Sequence, residues 1–134
     1  MAVLTVSQRS ILPALLILRV EIVALTLATA AIHASLGGTL FLLNAIGYAA
    51  LAAGLVLPGP MARIRWLVRP ALIGFAAATI AGWLAFGARF DLAYLSKAIE
   101  VTLIGLLLVE SWVIDGGPVV VARRLQRSVV AVFG

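Results

Sequence analysis

Long runs of apolar residues, separated by short stretches rich in glycine and proline, form the main pattern of this chain. A helix needs about 20 mostly apolar residues to cross the hydrocarbon core of a bilayer. Glycine and proline favour helix ends and turns. The pattern therefore predicts four transmembrane helices, at about residues 11–34, 39–57, 67–87 and 92–114.

The composition agrees with a membrane protein. Of 134 residues, 64% are hydrophobic and 11% are charged, whereas a soluble domain has about 45–50% apolar and about 25% charged residues. So few charges cannot cover a water-facing surface, which excludes a soluble globule and a disordered chain. We predict an all-α membrane protein in which residues 1–117 form a four-transmembrane-helix bundle.

The C-terminal segment, residues 118–134, has a different pattern. Drawn as a helix, it gathers valine, alanine and leucine on one side and three arginines towards the other. This distribution is typical of a basic amphipathic helix that lies in the membrane interface. An extended tail that docks on a partner subunit is the alternative.

Basic residues predict the orientation of the bundle. They cluster before the first span, around the connection of the second and third spans, and after the fourth, at Arg9, Arg63, Arg65, Arg69, Arg123, Arg124 and Arg127. The other two connections carry no net charge. Because short basic loops stay in the cytoplasm, we expect both termini on the cytoplasmic side of a bacterial-type inner (plasma) membrane.

The first span has one alternative interpretation, as a signal peptide. Ala28-Thr29-Ala30 has the small residues of a cleavage site. The apolar stretch before it is long, however, and contains Arg19 and Glu21, which the apolar core of a signal peptide does not normally carry. We therefore expect this stretch to remain as the first transmembrane helix.

Charged side chains lie inside the first and fourth predicted spans, at Arg19, Glu21, Lys97, Glu100 and Glu110. A charge at the centre of a membrane helix costs about 2.5–3.5 kcal/mol, so these residues need partners, water or protonation. With a rise of about 1.5 Å per residue and antiparallel first and fourth helices, Arg19 is level with Glu110. Glu21 is level with Glu100 or, at a longer reach, Lys97. Lys97 and Glu100 are three residues apart and can also pair.

Arg19 and Glu21 are two residues apart, so they point to nearly opposite sides of the first helix. We therefore expect one side of this helix to meet the fourth helix. The other side should meet a further helix of this chain or of a second subunit.

Other polar and small residues give weaker signals. The single histidine, His33, could cap a helix end, pair with Asp91, or ligate a haem or a chlorophyll-type pigment. Asn44 and Tyr48, four residues apart, could join a polar cluster or hydrogen-bond to a neighbouring helix. Small residues at four-residue spacing predict a helix-packing face on the third helix, at Gly74, Ala78 and Gly82.

No enzymatic motif is present in the sequence. The chain has no cysteine, which excludes disulfides, thiolate metal sites and cysteine nucleophiles, and it lacks nucleotide-binding and hydrolase signatures. We predict a non-enzymatic integral membrane subunit that packs against itself or a larger membrane complex. Its intramembrane charges would act as interhelical pins. Neither a metal nor another cofactor is expected, and neither is nucleic-acid binding.

Two alternative functions remain open. One is a small oligomeric proton-coupled transporter or ion channel that uses Glu21 and Glu100, since carboxylates in a low dielectric can carry a proton at neutral pH. The other is an electron-transfer subunit that holds a quinone, a haem or a pigment.

Overall fold

The computed structural model describes the backbone of residues 6–134 and the side chains of residues 11–134, so the side chain of Arg9 lies outside the described part. This part is all-helical, with helices α1 (Val6–Leu36), α2 (Thr39–Val56), α3 (Pro60–Phe86), α4 (Asp91–Asp115) and α5 (Pro118–Phe133). The first four are long and apolar enough to cross a membrane. The prediction of an all-helical, multi-pass membrane protein is confirmed at this level.

Helix α3 begins seven residues earlier than the apolar pattern predicts. It starts at Pro60, directly after Gly59, because proline is well suited to the first position of a helix, where its missing N–H is not needed. Arg69 and Pro70 therefore lie inside α3 rather than at its start. Pro13 likewise lies inside α1. Such prolines are tolerated in membrane helices when neighbouring groups satisfy the freed carbonyl.

Glycine pairs turn the chain sharply at two connections. Gly37 and Gly38 have φ angles of 72° and 87°, and Gly116 and Gly117 have φ angles of 84° and 103°. Residues with a Cβ avoid these positive values. The glycines therefore end α1 and α4 sharply, and only two residues lie between each of these helices and the next.

The four long helices form an antiparallel bundle in which α1 and α3 each pack between α2 and α4. The α1–α2 and α3–α4 connections lie at one end, called here the α1–α2 end. The α2–α3 connection and α5, which packs against α4, lie at the other, called the α2–α3 end. Large apolar side chains fill the centre of the bundle and also cover its outside, as a lipid environment requires. The central ones include Ile22, Leu55, Leu72, Leu103 and Leu107.

Gly47 allows α2 to approach α3 closely, since a Cβ at this position would overlap the ring of Phe75. We expect Gly47→Ala to lower the free energy of unfolding by about 1–3 kcal/mol, because the ring must move. The matched control is Gly105→Ala on α4, where a Cβ meets no atom within 4 Å. That change should stabilise α4 by up to about 1 kcal/mol. Unfolding by SDS titration measures both, and equal effects would contradict the close contact.

The small residues of α3 do not form the predicted packing face within this chain. Gly74, Ala78 and Gly82 are exposed, and a Cβ on either glycine would meet no atom within 4 Å. The reason is the orientation of α3 about its own axis, which buries a different side of the helix. That side includes Leu72 and Ala76. Ala78 and Gly82 instead line a cavity at the α1–α2 end.

Candidate functional site

Two glutamates of α4, Glu100 and Glu110, are completely buried inside the bundle. Ten residues separate them, which corresponds to about 15 Å along a helix axis. Glu100 lies towards the α1–α2 end and Glu110 towards the α2–α3 end. Since a buried charge is stable only with partners, the surroundings of each glutamate define a candidate site.

The Glu110 cluster is a charge-balanced network of two arginines and two acidic residues. Arg19 of α1 forms an ion pair with Glu110. Arg69 of α3 donates from Nε to Glu110 Oε2 at 3.1 Å and from Nη1 to Asp115 Oδ2 at 2.9 Å. Arg19 also donates from Nη1 to the carbonyl oxygen of Leu55 in α2, at 3.1 Å. This network therefore connects all four long helices.

The Glu100 cluster surrounds one carboxylate with donors from three helices. Oε2 accepts hydrogen bonds from Lys97 Nζ at 2.6 Å and from Thr79 Oγ1 at 2.9 Å. Oε1 accepts from Thr29 Oγ1 at 3.2 Å and from Ser96 Oγ at 3.4 Å. A carboxylate has about four acceptor positions, so Glu100 has no capacity left for a further donor.

Tyr48 adds α2 to the Glu100 cluster. Its hydroxyl lies 2.9 Å from Thr79 Oγ1. A threonine hydroxyl has one proton; when Thr79 donates it to Glu100, Tyr48 must donate to Thr79. The Glu100 cluster, like the Glu110 cluster, therefore connects all four long helices.

His33 borders the Glu100 cluster. Its Nδ1 lies 2.8 Å from the carbonyl oxygen of Thr29, and because a carbonyl only accepts, Nδ1 carries a proton. Its Nε2 lies 3.7 Å from Glu100 Oε1, which is too long for a hydrogen bond. His33 is almost fully buried, at 3% exposed, but its Nε2 has no hydrogen-bond partner among the described side chains.

An apolar layer separates the two clusters. Ile22, Leu72, Leu103 and Leu107 fill the space between them and are completely buried. Thr26 also lies at this depth, but its hydroxyl donates to the carbonyl oxygen of Ile22 at 2.6 Å within its own helix. The described side chains therefore provide no polar connection from Glu100 to Glu110.

A cavity of about 440 Å³ lies at the α1–α2 end and reaches the Glu100 cluster. Most of its walls are apolar, and the aromatic ones are Phe41, Phe75, Trp83, Phe86 and Phe90. Its polar lining consists of His33, Asn44, Thr79, Ser96 and Lys97. A mostly apolar cavity with a few convergent polar groups is typical of a small-molecule site.

Glu21 does not meet Glu100 or Lys97, although their levels in the membrane would allow it. Its side chain is exposed on the side of α1 that faces away from the bundle. The buried side of α1, which carries Thr29 and His33, faces α4 instead. The sequence-predicted candidates that do enter the two clusters are Arg19, Lys97, Glu100, Glu110 and Tyr48, while His33 borders one cluster and Asn44 lines the cavity.

Sequence reasoning missed five members of the clusters. Arg69 was counted with Arg63 and Arg65 as one basic loop, although it lies just inside the predicted third span, and Asp115 was assigned to a turn. The hydroxyls of Thr29, Thr79 and Ser96 carry no charge, so they are not a distinctive signal of a buried site in the sequence of an apolar helix. A usable signal existed for Ser96, which lies four residues before Glu100 and therefore on the same side of α4.

The described residues offer few ligands for a metal. Among residues 11–134, no group of three His, Cys, Asp or Glu side chains is placed to hold a metal ion. His33 uses Nδ1 for the Thr29 carbonyl, which leaves Nε2 as its one atom for a ligand.

No family model, curated protein or solved structure matches this chain.

Proposed function

We propose that this protein is a non-enzymatic membrane subunit that pairs with a second copy of itself through the exposed side of α1. The observation that carries the proposal is the contrast between Glu21 and the other intramembrane glutamates. Glu100 and Glu110 are buried and paired. Glu21 is exposed, and no described cationic side chain forms a salt bridge with it.

The position of Glu21 makes exposure to lipid unfavourable. The apolar part of α1 spans Ile11–Leu36, so Glu21 lies about 4 Å from its midpoint. A charge at that depth costs about 2.5–3.5 kcal/mol, and intramembrane acidic residues almost always face other protein groups or water. A second membrane helix that covers Glu21 would remove this cost.

A second copy of this chain fits the uncovered face. A two-fold axis along the membrane normal places both Glu21 side chains at the same depth. One protonated carboxyl can then donate a hydrogen bond to the other. Ala24 is exposed and Ala28 is half-buried on the same side, and such small side chains let two helices approach closely.

The two clusters support a structural role for the remaining charges. Each buried glutamate of α4 is connected, directly or through one further residue, to all three other long helices. This arrangement fixes the depth and rotation of each helix against its neighbours. The transport alternative has less support, because Glu21 and Glu100 are not in contact and an apolar layer lies below Glu100.

The distribution of arginines supports both termini on the cytoplasmic side of an inner (plasma) membrane. The α2–α3 end carries Arg63 and Arg65 near the start of α3 and three arginines on α5. The guanidinium of Arg124 lies 4.1 Å from the centre of the Trp66 ring, which attaches the basic side of α5 to the start of α3. In this proposal α5 lies in the cytoplasmic interface, where its arginines attract anionic headgroups.

Cysteine cross-linking tests the proposed pairing, because the chain has no cysteine of its own. We expect Ala28→Cys, two helical turns from Glu21, to form disulfide-linked dimers in liposomes. Leu27→Cys, the adjacent and exposed position, points about 100° away and should not cross-link.

In the Ala28→Cys background, Glu21→Leu should weaken dimerisation by roughly 5–30-fold, which corresponds to one or two kcal/mol of interhelical hydrogen bonding. Glu21→Gln should retain most of it, since an amide also donates and accepts. Glu21→Leu places an apolar side chain against lipid and should not destabilise the monomer. Undiminished cross-linking in Glu21→Leu, or none in Ala28→Cys, would contradict pairing through this face.

A further inference from the structure

At the cavity beside the Glu100 cluster, Lys97 has unused hydrogen-bond donors, whereas Glu100 has no unused acceptor position. Glu100 already accepts four hydrogen bonds and is not among the residues that line the cavity. Lys97 does line it, and an ammonium has three N–H donors, of which Glu100 receives one. The cavity therefore presents unused donors rather than an unpaired carboxylate.

Two further polar groups at the cavity have unused capacity. The Asn44 amide lines it and forms no hydrogen bond with the described residues. His33 also lines it, with Nδ1 protonated by its contact with the Thr29 carbonyl. In the neutral ring, Nε2 is then an acceptor without a partner. A ligand hydroxyl placed in the cavity can therefore donate to this nitrogen.

We propose that this cavity binds a neutral, mostly apolar molecule with a hydroxyl or carbonyl oxygen at one end. The apolar body would lie against the aromatic walls, with Phe75 and Trp83 among them. The oxygen would accept from Lys97 or Asn44, and a hydroxyl would also donate to His33 Nε2. A volume of about 440 Å³ suits a ligand of this size.

The charge balance of the site favours a neutral head group. Lys97 and Glu100 form a close pair, with Nζ 2.6 Å from Oε2, so together they contribute no net charge. A carboxylate or an organic cation would bring an uncompensated charge into a low-dielectric site, which is costly. An organic cation would also find no free acceptor on Glu100.

The small residues of α3 leave the necessary space. Ala78 and Gly82 line the cavity, and a Cβ at Gly82 would meet no atom within 4 Å. A larger side chain at Gly82 would therefore extend into the space that the ligand occupies. Gly74 on the same helix is equally open but does not line the cavity, so it provides a matched control.

Quenching of Trp83 fluorescence by decylubiquinone, a neutral carbonyl compound, tests the proposal. Trp66→Phe and Trp112→Phe leave Trp83 as the single tryptophan of three. We expect saturable quenching that becomes at least tenfold weaker in Gly82→Leu and stays unchanged in Gly74→Leu. Asn44→Leu should weaken binding roughly 2–10-fold, as the loss of one hydrogen bond implies.

Competition against the same quenching identifies the head group. Decan-1-ol should displace decylubiquinone, whereas decylbenzene, which lacks oxygen, and decanoate, which is charged, should not. Equal quenching in Gly82→Leu and Gly74→Leu would overturn the site and show simple partition into the micelle. Preferential displacement by decanoate would overturn the neutral head group. If Gly82→Leu fails to fold, Ala78→Leu at the same wall replaces it and should give the same tenfold loss.

Discussion

Glu110→Leu should lower the free energy of unfolding by about 3–5 kcal/mol, the usual cost of removing one partner from a buried ion network. Glu110 is fully buried and accepts from both Arg19 and Arg69. Arg69 would keep Asp115, but Arg19 would keep only a carbonyl partner. Its charge would therefore remain in the bundle without a counterion. Unfolding by SDS titration in mixed micelles measures the loss.

The same substitution at Glu21 is the matched control. Glu21→Leu removes an exposed carboxylate without a described partner and should not destabilise the monomer. The double variant Arg19→Leu/Glu110→Leu restores the charge balance of the network and should be more stable than the sum of the single changes predicts, by about 1–3 kcal/mol. Additive losses, or a loss in Glu110→Leu no larger than in Glu21→Leu, would show that the network does not hold the helices together.

The Arg19–Glu110 contact illustrates what the sequence can predict in a membrane bundle. Apolar run lengths define the spans, a constant rise per residue gives each position a depth, and alternating direction makes depths comparable between helices. The contact between Arg19 and Glu110 is predicted from their depths alone. Lys97 and Glu100 follow from their spacing of three on one helix.

Rotation about the helix axis is what the sequence leaves open. Glu21 has the right depth to meet Glu100, but it lies on the opposite side of α1 from Arg19, and the buried side is the one that carries Arg19. In water, the apolar side of a helix identifies its core face. In a lipid-facing helix both sides are apolar, so this signal is absent, and for the same reason the sequence could not show that Gly74 and Gly82 are exposed within this chain.

Helix starts are the second limit. Arginines near a membrane edge are expected in loops, and Arg63, Arg65 and Arg69 therefore looked like one basic loop. Pro60 starts α3 earlier, so Arg69 lies more than two turns inside the helix, and it is 4% exposed. A capping argument from Pro60 could have found this start, and Arg69 would then have been counted among the intramembrane charges.

Glu100→Leu is the second change with a large expected effect, again about 3–5 kcal/mol of unfolding free energy. It leaves the ammonium of Lys97 without its counterion. It also removes the carboxylate acceptor of the Thr29 hydroxyl, whereas Thr79 keeps the carbonyl oxygen of Ala76 in its own helix, at 2.9 Å. Glu100→Gln should cost less, because the amide oxygen still accepts hydrogen bonds, although Lys97 remains unbalanced. SDS titration again gives the free energies.

The double variant Lys97→Met/Glu100→Gln separates structure from ligand binding. It removes both charges, keeps an acceptor for the threonines, and preserves side-chain length, so its stability should return close to that of the unchanged chain. The ammonium that faces the cavity is then missing, and quenching of Trp83 by decylubiquinone should weaken while the fold is retained. If the double variant instead has as low a free energy of unfolding as Glu100→Leu, the two charges stabilise the fold by more than neutralising each other. The Glu100 cluster would then need a partner that the described residues do not supply.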